Sequence, residues 1–247
     1  MSRVFEPYCG AAPMPANLSS SWNFDPALII ILAAGLTALY FGQSRAQRGL
    51  TTALGIVVFA AFISPLCALS SALFSARAVH HILVGAVAAP MIAMMLPRNL
   101  TSRLKVPVEV VFVLHTAIYW LWHLPFAYDF ALSGPWQYWV MQCGLILASV
   151  WLWTVMLSQR TSVFAALGLS VGTMVQMGFL AAVITFAPFP IFEAHFLTTE
   201  AFGLNPLQDQ QLAGLLMWTV GILPYAVTAI WMVSARLMAP VERRGGS

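Results

Sequence analysis

The segment DQQLAGLLMW, residues 209–218, joins a polar start to an apolar stretch that continues to about residue 233. A charged side chain costs a few kcal/mol near the centre of a bilayer, so we expect Asp209 at a membrane boundary, as a helix cap or a ligand. Gly214 offers a small surface where another helix backbone can approach closely. Met217 follows and is within reach of a partner or a soft metal ion. An ordinary cap, a packing glycine and a core methionine give the same pattern.

The composition of the whole chain indicates a membrane protein. Of its 247 residues, 60% are hydrophobic and 8% are charged, and the mean hydropathy is +0.84. Soluble domains carry about 25% charged residues. Helical spans of about 20 residues would use nearly the whole chain, which predicts one helical bundle without a separate soluble domain. The net charge of +3 is expected of the cytoplasmic loops of such a protein, so we infer no nucleic-acid binding.

The apolar segments predict an all-α protein with seven transmembrane helices. The predicted spans are residues 26–41, 52–73, 78–97, 106–126, 136–157, 164–187 and 211–233. Residues 1–25 form an irregular N-terminal tail, which has no apolar core and is therefore not a cleavable signal peptide. The transmembrane domain covers residues 26–235, and a basic tail covers residues 236–247.

The loop charges orient this predicted bundle. Nine of the eleven basic residues fall on one side of the seven spans: Arg45, Arg48, Arg98, Arg103, Lys105, Arg160, Arg236, Arg243 and Arg244. Only Arg3 and Arg77 fall on the other side. Basic loops stay in the cytoplasm, so we predict an N-terminus outside the cell membrane and a cytoplasmic C-terminus.

With this orientation, most groups capable of metal chemistry collect toward the outer face. The candidate metal ligands are His81, His123, His80, Asp209, Met217 and Cys143. Imidazole, thiolate and thioether ligands together suit copper, especially Cu(I), better than magnesium or calcium. Histidines are also common among the aromatic residues of the membrane interface, so His81 and His123 could equally be interfacial anchors.

Other chemistries have less support in the sequence. It contains no phosphate-binding loop, no HExxH zinc helix and no CxxCH haem attachment sequence. Three cysteines, Cys9, Cys67 and Cys143, form no CxxC pair and indicate no disulfide framework. Haem held by histidines of two helices is possible, although axial ligands normally lie deeper in a bundle, so we expect no haem. The seven unlike spans also show no internal repeat of the kind many transporters have.

Two motifs resemble those of the CtaG family of cytochrome c oxidase assembly proteins. They are W-H-x-P-x-x-Y-D at residues 122–129 and D-Q-x-L-x-G-x-x-M-W at residues 209–218. A histidine-containing start to span three and the Trp151-Leu152-Trp153 run complete the resemblance. It implies a seven-helix bacterial inner-membrane protein that helps to supply copper to a terminal oxidase.

The chain also departs from the family pattern. Family members place a histidine four residues before the one that matches His81, and this chain has Arg77 there. Histidines expected early in span five are replaced by Trp136, Gln137, Met141 and Gln142. The resemblance therefore implies either that copper is held by another set, including Met141, Cys143 and Met217, or that the role is structural.

The sequence thus predicts a non-enzymatic, multi-pass assembly factor of the bacterial inner membrane. Its expected partners are terminal oxidase subunits and membrane lipid, and the expected cofactor is copper, inserted at the outer face. In the copper hypothesis His81 and His123 bind the metal, and Asp209 orients a ligand or binds the metal itself. The alternatives are a non-catalytic accessory subunit packed against a respiratory complex through Gly214 and the belt of aromatic residues at the membrane interface, and a haem-binding electron carrier.

Overall fold

A computed structural model of the chain describes residues 7–97 and 106–238, without the side chains of residues 46 and 236–238. Within these ranges the protein contains eleven α-helices and no β-strand. The helices are α1 (Pro26–Gly42), α2 (Arg45–Phe62), α3 (Pro65–Ala72), α4 (Phe74–Ile82), α5 (Ala89–Met95), α6 (Val108–Trp122), α7 (Pro125–Leu132), α8 (Pro135–Met156), α9 (Val163–Thr185), α10 (Pro206–Thr219) and α11 (Leu223–Met238). A π-helical segment, Leu83–Ala88, joins α4 to α5. Short 3₁₀ turns occur at Pro15–Ser20, Glu193–His195 and Glu200–Phe202. The prediction of an all-helical protein is confirmed.

Four helical stretches are long and apolar enough to cross a membrane. They are Phe74–Met95, Pro135–Met156, Val163–Thr185 and Pro206–Ala235. Two bent helix pairs raise the number to six if each pair is one span, and the shorter apolar helix Pro26–Gly42 stands apart from these. The described chain is therefore a membrane protein with four to six candidate spans. The basic tail predicted for residues 236–247 lies largely outside the described residues.

Two of the predicted spans are bent rather than straight. The second consists of Gln47–Phe62 and Pro65–Ala72, which meet at 40°, and the fourth consists of Val108–Trp122 and Pro125–Leu132, which meet at 73°. A proline begins the second helix of each pair. Proline has no N–H for the helical ladder and disfavours helical geometry in the preceding residue, so each helix ends just before it.

The N-terminal segment is bound to the bundle by a disulfide between Cys9 and Cys67, whose Cα atoms lie 5.3 Å apart. The expectation that the cysteines form no disulfide was therefore wrong. The two residues are 58 positions apart, and no local spacing pattern reveals a pair at that distance. Tyr8 stacks beside this bond on Tyr138, with 5.4 Å between the ring centroids. Asp25 ends the segment as the N-cap of α1, accepting a hydrogen bond from the Ala27 N–H.

Helix α10 packs closely against α9 at Gly214. A Cβ atom added to Gly214 would lie 2.1 Å from Thr185 Oγ1 and 2.8 Å from the Ala181 carbonyl oxygen. A backbone atom cannot yield as a flexible side chain does, so only glycine fits without a shift of one helix. The close helix approach predicted for Gly214 is thus present in the structure.

Replacing Gly214 by alanine should destabilise the protein. Forcing an extra carbon into a well-packed interface typically costs about 1 to 3 kcal/mol, so we expect Gly214→Ala to lower the midpoint of thermal unfolding in detergent by several degrees. Gly168→Ala, in α9, is the matched control, because a Cβ there meets no atom within 4 Å. Equal unfolding temperatures for the two variants would contradict the packing role of Gly214.

Candidate metal site

The carboxylate of Asp209 caps a helix other than its own. One carboxylate oxygen accepts a 2.6 Å hydrogen bond from the backbone N–H of Phe74. The other accepts a 3.1 Å bond from the Ser75 N–H and a short bond from the Ser75 hydroxyl. These N–H groups begin α4, where a helix has unpaired donors and the positive end of its dipole. The fully buried Asp209 therefore joins α10 to the start of α4.

One hypothesis from the sequence was that Asp209 caps its own helix. The structure shows a different cap. That cap is Asn205, whose side chain accepts a hydrogen bond from the Gln208 N–H, while Gln208 accepts one from the Asn205 N–H. This reciprocal pair is a capping box. Asp209 is the next residue after Gln208, and its buried side chain binds the start of α4 instead. The neighbouring Gln210 accepts from the Ile191 N–H and donates to the Ile184 carbonyl, which fixes the end of α9.

A small cavity lies deeper between the same helices. Its volume is about 20 Å³, and one water-sized probe needs about 10 to 15 Å³, so the cavity has room for one water molecule or ion. It is lined by Ala78, His81, Ile82, Ala86, Tyr119, His123, Met177, Met217, Gly221 and Tyr225. Two imidazoles and two thioethers thus converge on one small space. The rings of His81 and His123 have centroids 6.0 Å apart and are inclined by 77°.

The hydrogen bonding of His123 determines which of its nitrogens can bind a ligand. Nδ1 lies 2.7 Å from the Tyr119 backbone oxygen. A carbonyl oxygen only accepts, so Nδ1 must carry the proton and donate. The lone pair is then on Nε2, the arrangement usual for metal-binding histidines, whose other nitrogen is held by a backbone or carboxylate oxygen. The Tyr119 hydroxyl is itself fixed at 2.8 Å from Ser149 Oγ.

His81 is buried and both of its ring nitrogens lack a hydrogen-bond partner among the described residues. A buried polar atom without a partner costs free energy, and such atoms deserve a specific explanation. A soft cation bound by His81, His123, Met177 and Met217 would satisfy the imidazole, and this donor set fits Cu(I). The described residues contain no cluster of three or more His, Cys, Asp or Glu suited to a metal ion, so a metal bound here would need the thioethers as ligands.

The remaining predicted ligands do not line the cavity. His80 is fully buried and packs edge-on against Phe62, with 5.0 Å between the ring centroids. Cys143 is exposed on α8 as a free thiol, and Asp209 is engaged at the start of α4. Sequence reasoning missed Met177, because a single methionine in an apolar span is indistinguishable from core filling.

Arg77 places a positive charge beside this site. It is fully buried on α4, one turn before His81, and its three guanidinium nitrogens have no hydrogen-bond partner among the described residues. Its Cζ atom lies 5.3 Å from the centroid of the Tyr138 ring, a cation–π contact. The charge is therefore stabilised by an aromatic face, and the structure places no carboxylate of the described residues in hydrogen-bond contact with it.

Tyr128 and His195 form a buried polar pair at the same end of the bundle. The Tyr128 hydroxyl lies 2.6 Å from His195 Nε2. Burial, followed by the positive charge of Arg77, lowers the pKa of His195 to about 3. His195 is consequently neutral near pH 7, so this pair holds the loop between α9 and α10 without adding charge.

These features define a helical membrane protein with several buried polar side chains and one small buried cavity, which His81, His123, Met177 and Met217 help to line. Residues 106–238, more than half of the chain, match the model of the cytochrome c oxidase caa3 assembly factor family, Caa3_CtaG. The chain belongs to that family, and the resemblance found in its sequence motifs is confirmed. The match includes His123, Met177, Asp209 and Met217, whereas His81 precedes it. Searches of curated proteins and of solved structures returned no match.

The cap on α4 generates a prediction about Asp209. Asparagine offers one acceptor oxygen where the carboxylate offers two, and its amide would face a backbone donor. A hydrogen bond to a charged group is worth about 1.5 to 3 kcal/mol, so Asp209→Asn should lower the thermal unfolding midpoint and Asp209→Ala should lower it further. Glu193→Gln, at an exposed carboxylate, is the control and should leave the midpoint unchanged. Wild-type stability of Asp209→Asn would show that the charge is not needed for the cap.

Proposed function

We propose that this protein is an assembly factor without catalytic turnover, which receives Cu(I) at the outer face of the bacterial inner membrane for a terminal oxidase. The observation that carries the proposal is the convergence of His81, His123, Met177 and Met217 on a cavity large enough for one ion. We infer a terminal oxidase as the partner from the family, whose description is cytochrome c oxidase caa3 assembly factor. A porphyrin is far larger than this cavity, which favours an ion over haem as the cargo.

The charges around the cavity favour a monovalent ion. All four donor side chains are neutral when they bind, and the nearest fixed charge on α4 is the buried cation Arg77. The repulsion between Arg77 and a bound cation is screened much less in a buried site than in water. This repulsion doubles when the ion carries two charges instead of one. Cu(I) therefore fits better than Cu(II) or Zn²⁺, which usually bind together with carboxylate, thiolate or water ligands.

We further propose seven spans, with the N-terminus outside and the C-terminus in the cytoplasm. The unequal distribution of basic residues supports this orientation. The Cys9–Cys67 disulfide gives separate support, because disulfides persist in the oxidising periplasm and are rare in the cytosol. In this arrangement α1 is the first span, each bent pair is one span, and Asp209 lies at the outer end of the last.

The proposed orientation can be tested with a reporter and a label. Green fluorescent protein fused after Gly246 should be fluorescent, because it matures in the cytoplasm. In a Cys143→Ser background, Ser19→Cys should react with a membrane-impermeant maleimide in intact cells, since Ser19 is exposed in the N-terminal segment. Labelling of Ser19→Cys only after membrane disruption would overturn the orientation and place the cavity at the cytoplasmic end.

The metal proposal predicts one Cu(I) per chain in protein purified without oxygen. Titration against a chromogenic Cu(I) chelator should give this stoichiometry for the wild type, no binding for the His81→Ala, His123→Ala double variant, and weaker binding for Met177→Ala. His80→Ala is the matched control, because His80 is also buried but does not line the cavity, and it should keep the site. Zn²⁺ should not compete. Equal loss of Cu(I) in His80→Ala and in the double variant would contradict the assigned ligands.

The same variants separate cargo delivery from an accessory-subunit role in cells. If the protein delivers copper, the double variant should lower the copper content of the oxidase without lowering the amount of its apo subunits, and added copper should restore part of the activity. An accessory subunit would instead co-purify with the oxidase in fixed proportion. Co-purification together with a silent double variant would reject copper delivery in favour of that alternative.

A further inference from the structure

The disulfide between Cys9 and Cys67 has a hydrogen-bond donor beside each sulfur. The Tyr138 hydroxyl lies 3.6 Å from Cys9 Sγ, and because a disulfide sulfur carries no proton, the hydroxyl donates. The side-chain amide of Asn23 donates to Cys67 Sγ across 3.9 Å. A disulfide sulfur is a weak, neutral acceptor, whereas a thiolate is charged, and hydrogen bonds to charged groups are the stronger ones. These donors therefore suit the reduced pair better than the oxidised one.

Arg77 supplies a positive charge at the same tyrosine. Its Cζ atom lies 5.3 Å from the centroid of the Tyr138 ring, so Cys9 and Arg77 both contact Tyr138. Arg77 is fully buried, and its guanidinium nitrogens have no hydrogen-bond partner among the described residues. A buried charge without a counter-charge is costly, and a cation beside a cysteine favours its thiolate. Reduction of the disulfide would thus create the anion that Arg77 lacks.

A pair of thiolates at this place favours Cu(I) over other metal ions. The Cα atoms of Cys9 and Cys67 lie 5.3 Å apart, so both thiolates can reach one ion between them after rotation of their side chains. Zn²⁺ takes four nitrogen, sulfur or carboxylate ligands, and the described residues hold no group of three or more His, Cys, Asp or Glu suited to a metal. Cu(I) prefers soft thiolates and is stable with two. Two thiolates and one Cu(I) leave one net negative charge, which Arg77 balances.

We propose that reduction of the Cys9–Cys67 disulfide opens a second Cu(I) site, in which both thiolates bind the ion and Arg77 balances the charge. The reductant is an external dithiol. It attacks Cys9, which precedes the exposed Gly10, whereas Cys67 is fully buried. One S–S bond breaks in this chain and one forms in the reductant, so two electrons and two protons pass to the cysteines. Cu(I) then displaces both protons and keeps its oxidation state.

This site shares no residue with the cavity lined by His81 and His123, so the two sites can be tested separately. The test uses the full chain in detergent with Cys143→Ser, His81→Ala and His123→Ala, which removes the free thiol and two cavity ligands. Thiol titration of denatured samples should find no thiol before treatment with dithiothreitol and two afterwards. Once dithiothreitol has been removed without oxygen, titration against a chromogenic Cu(I) chelator should show one Cu(I) per reduced chain and none per oxidised chain. With Cys143→Ser alone, the reduced chain should bind one Cu(I) more than the oxidised chain.

Variants of the ligands and of the counter-charge complete the test. Cys9→Ser should abolish Cu(I) binding by the reduced chain. Arg77→Gln should weaken it about tenfold, because a buried counter-charge is screened little, whereas Arg77→Lys keeps the charge and should retain most of the affinity. Binding at the cavity of the oxidised Cys143→Ser protein should not weaken in Arg77→Gln, since the charge opposes an ion there.

Three results would overturn the proposal. They are equal Cu(I) binding by the oxidised and reduced chains, Cu(I) binding that survives Cys9→Ser, and equal affinities of Arg77→Gln and Arg77→Lys. The comparison of oxidised with reduced protein needs no cysteine variant of the pair, so it holds even if Cys9→Ser does not fold. Each of these results leaves the proposed cavity site standing, because that site is measured in the oxidised chain.

Discussion

The carboxylate of Asp209 sets the relative position of the helices that build the candidate metal site. It binds the first N–H groups of α4, which begins inside the protein and has no other cap among the described side chains. His81 follows Phe74 by seven residues, and Met217 follows Asp209 by eight. At 1.5 Å of rise per residue, both side chains lie about 11 to 12 Å below the cap. One buried charge thereby brings an imidazole and a thioether to the same depth.

Sequence reasoning succeeded where a residue obeys a local rule. The apolar lengths predicted the helices, and the spacing within residues 209–218 predicted the close packing of Gly214. It also singled out His123 and Met217, which the structure places in one cavity. Asp209 was recognised as significant because a charge beside an apolar span is costly. The rule identified the residue but not the group it binds, because Phe74 is 135 residues away in the chain.

The features that sequence reasoning missed depend on contacts between distant segments. Cys9 and Cys67 pair across 58 residues, and Met177 becomes a candidate ligand only because α9 packs beside α10. The bends before Pro65 and Pro125 were passed over for another reason. Hydropathy averaged along a span does not register a missing N–H group, although the backbone must respond to it. The 73° bend turns the chain immediately after His123, so it also helps to position this candidate ligand.

The arrangement of the cysteines bears on how firmly the proposed site would hold its cargo. Thiolates are the strongest soft ligands, yet Cys9 and Cys67 are joined in a disulfide and Cys143 faces away from the cavity. The donors that remain are neutral, and the nearby charge of Arg77 opposes a bound cation. A factor that passes an ion onward must bind it well enough to select it and weakly enough to release it. In the proposed site, thioethers and imidazoles beside a buried guanidinium would meet both conditions, whereas a thiolate site would favour retention.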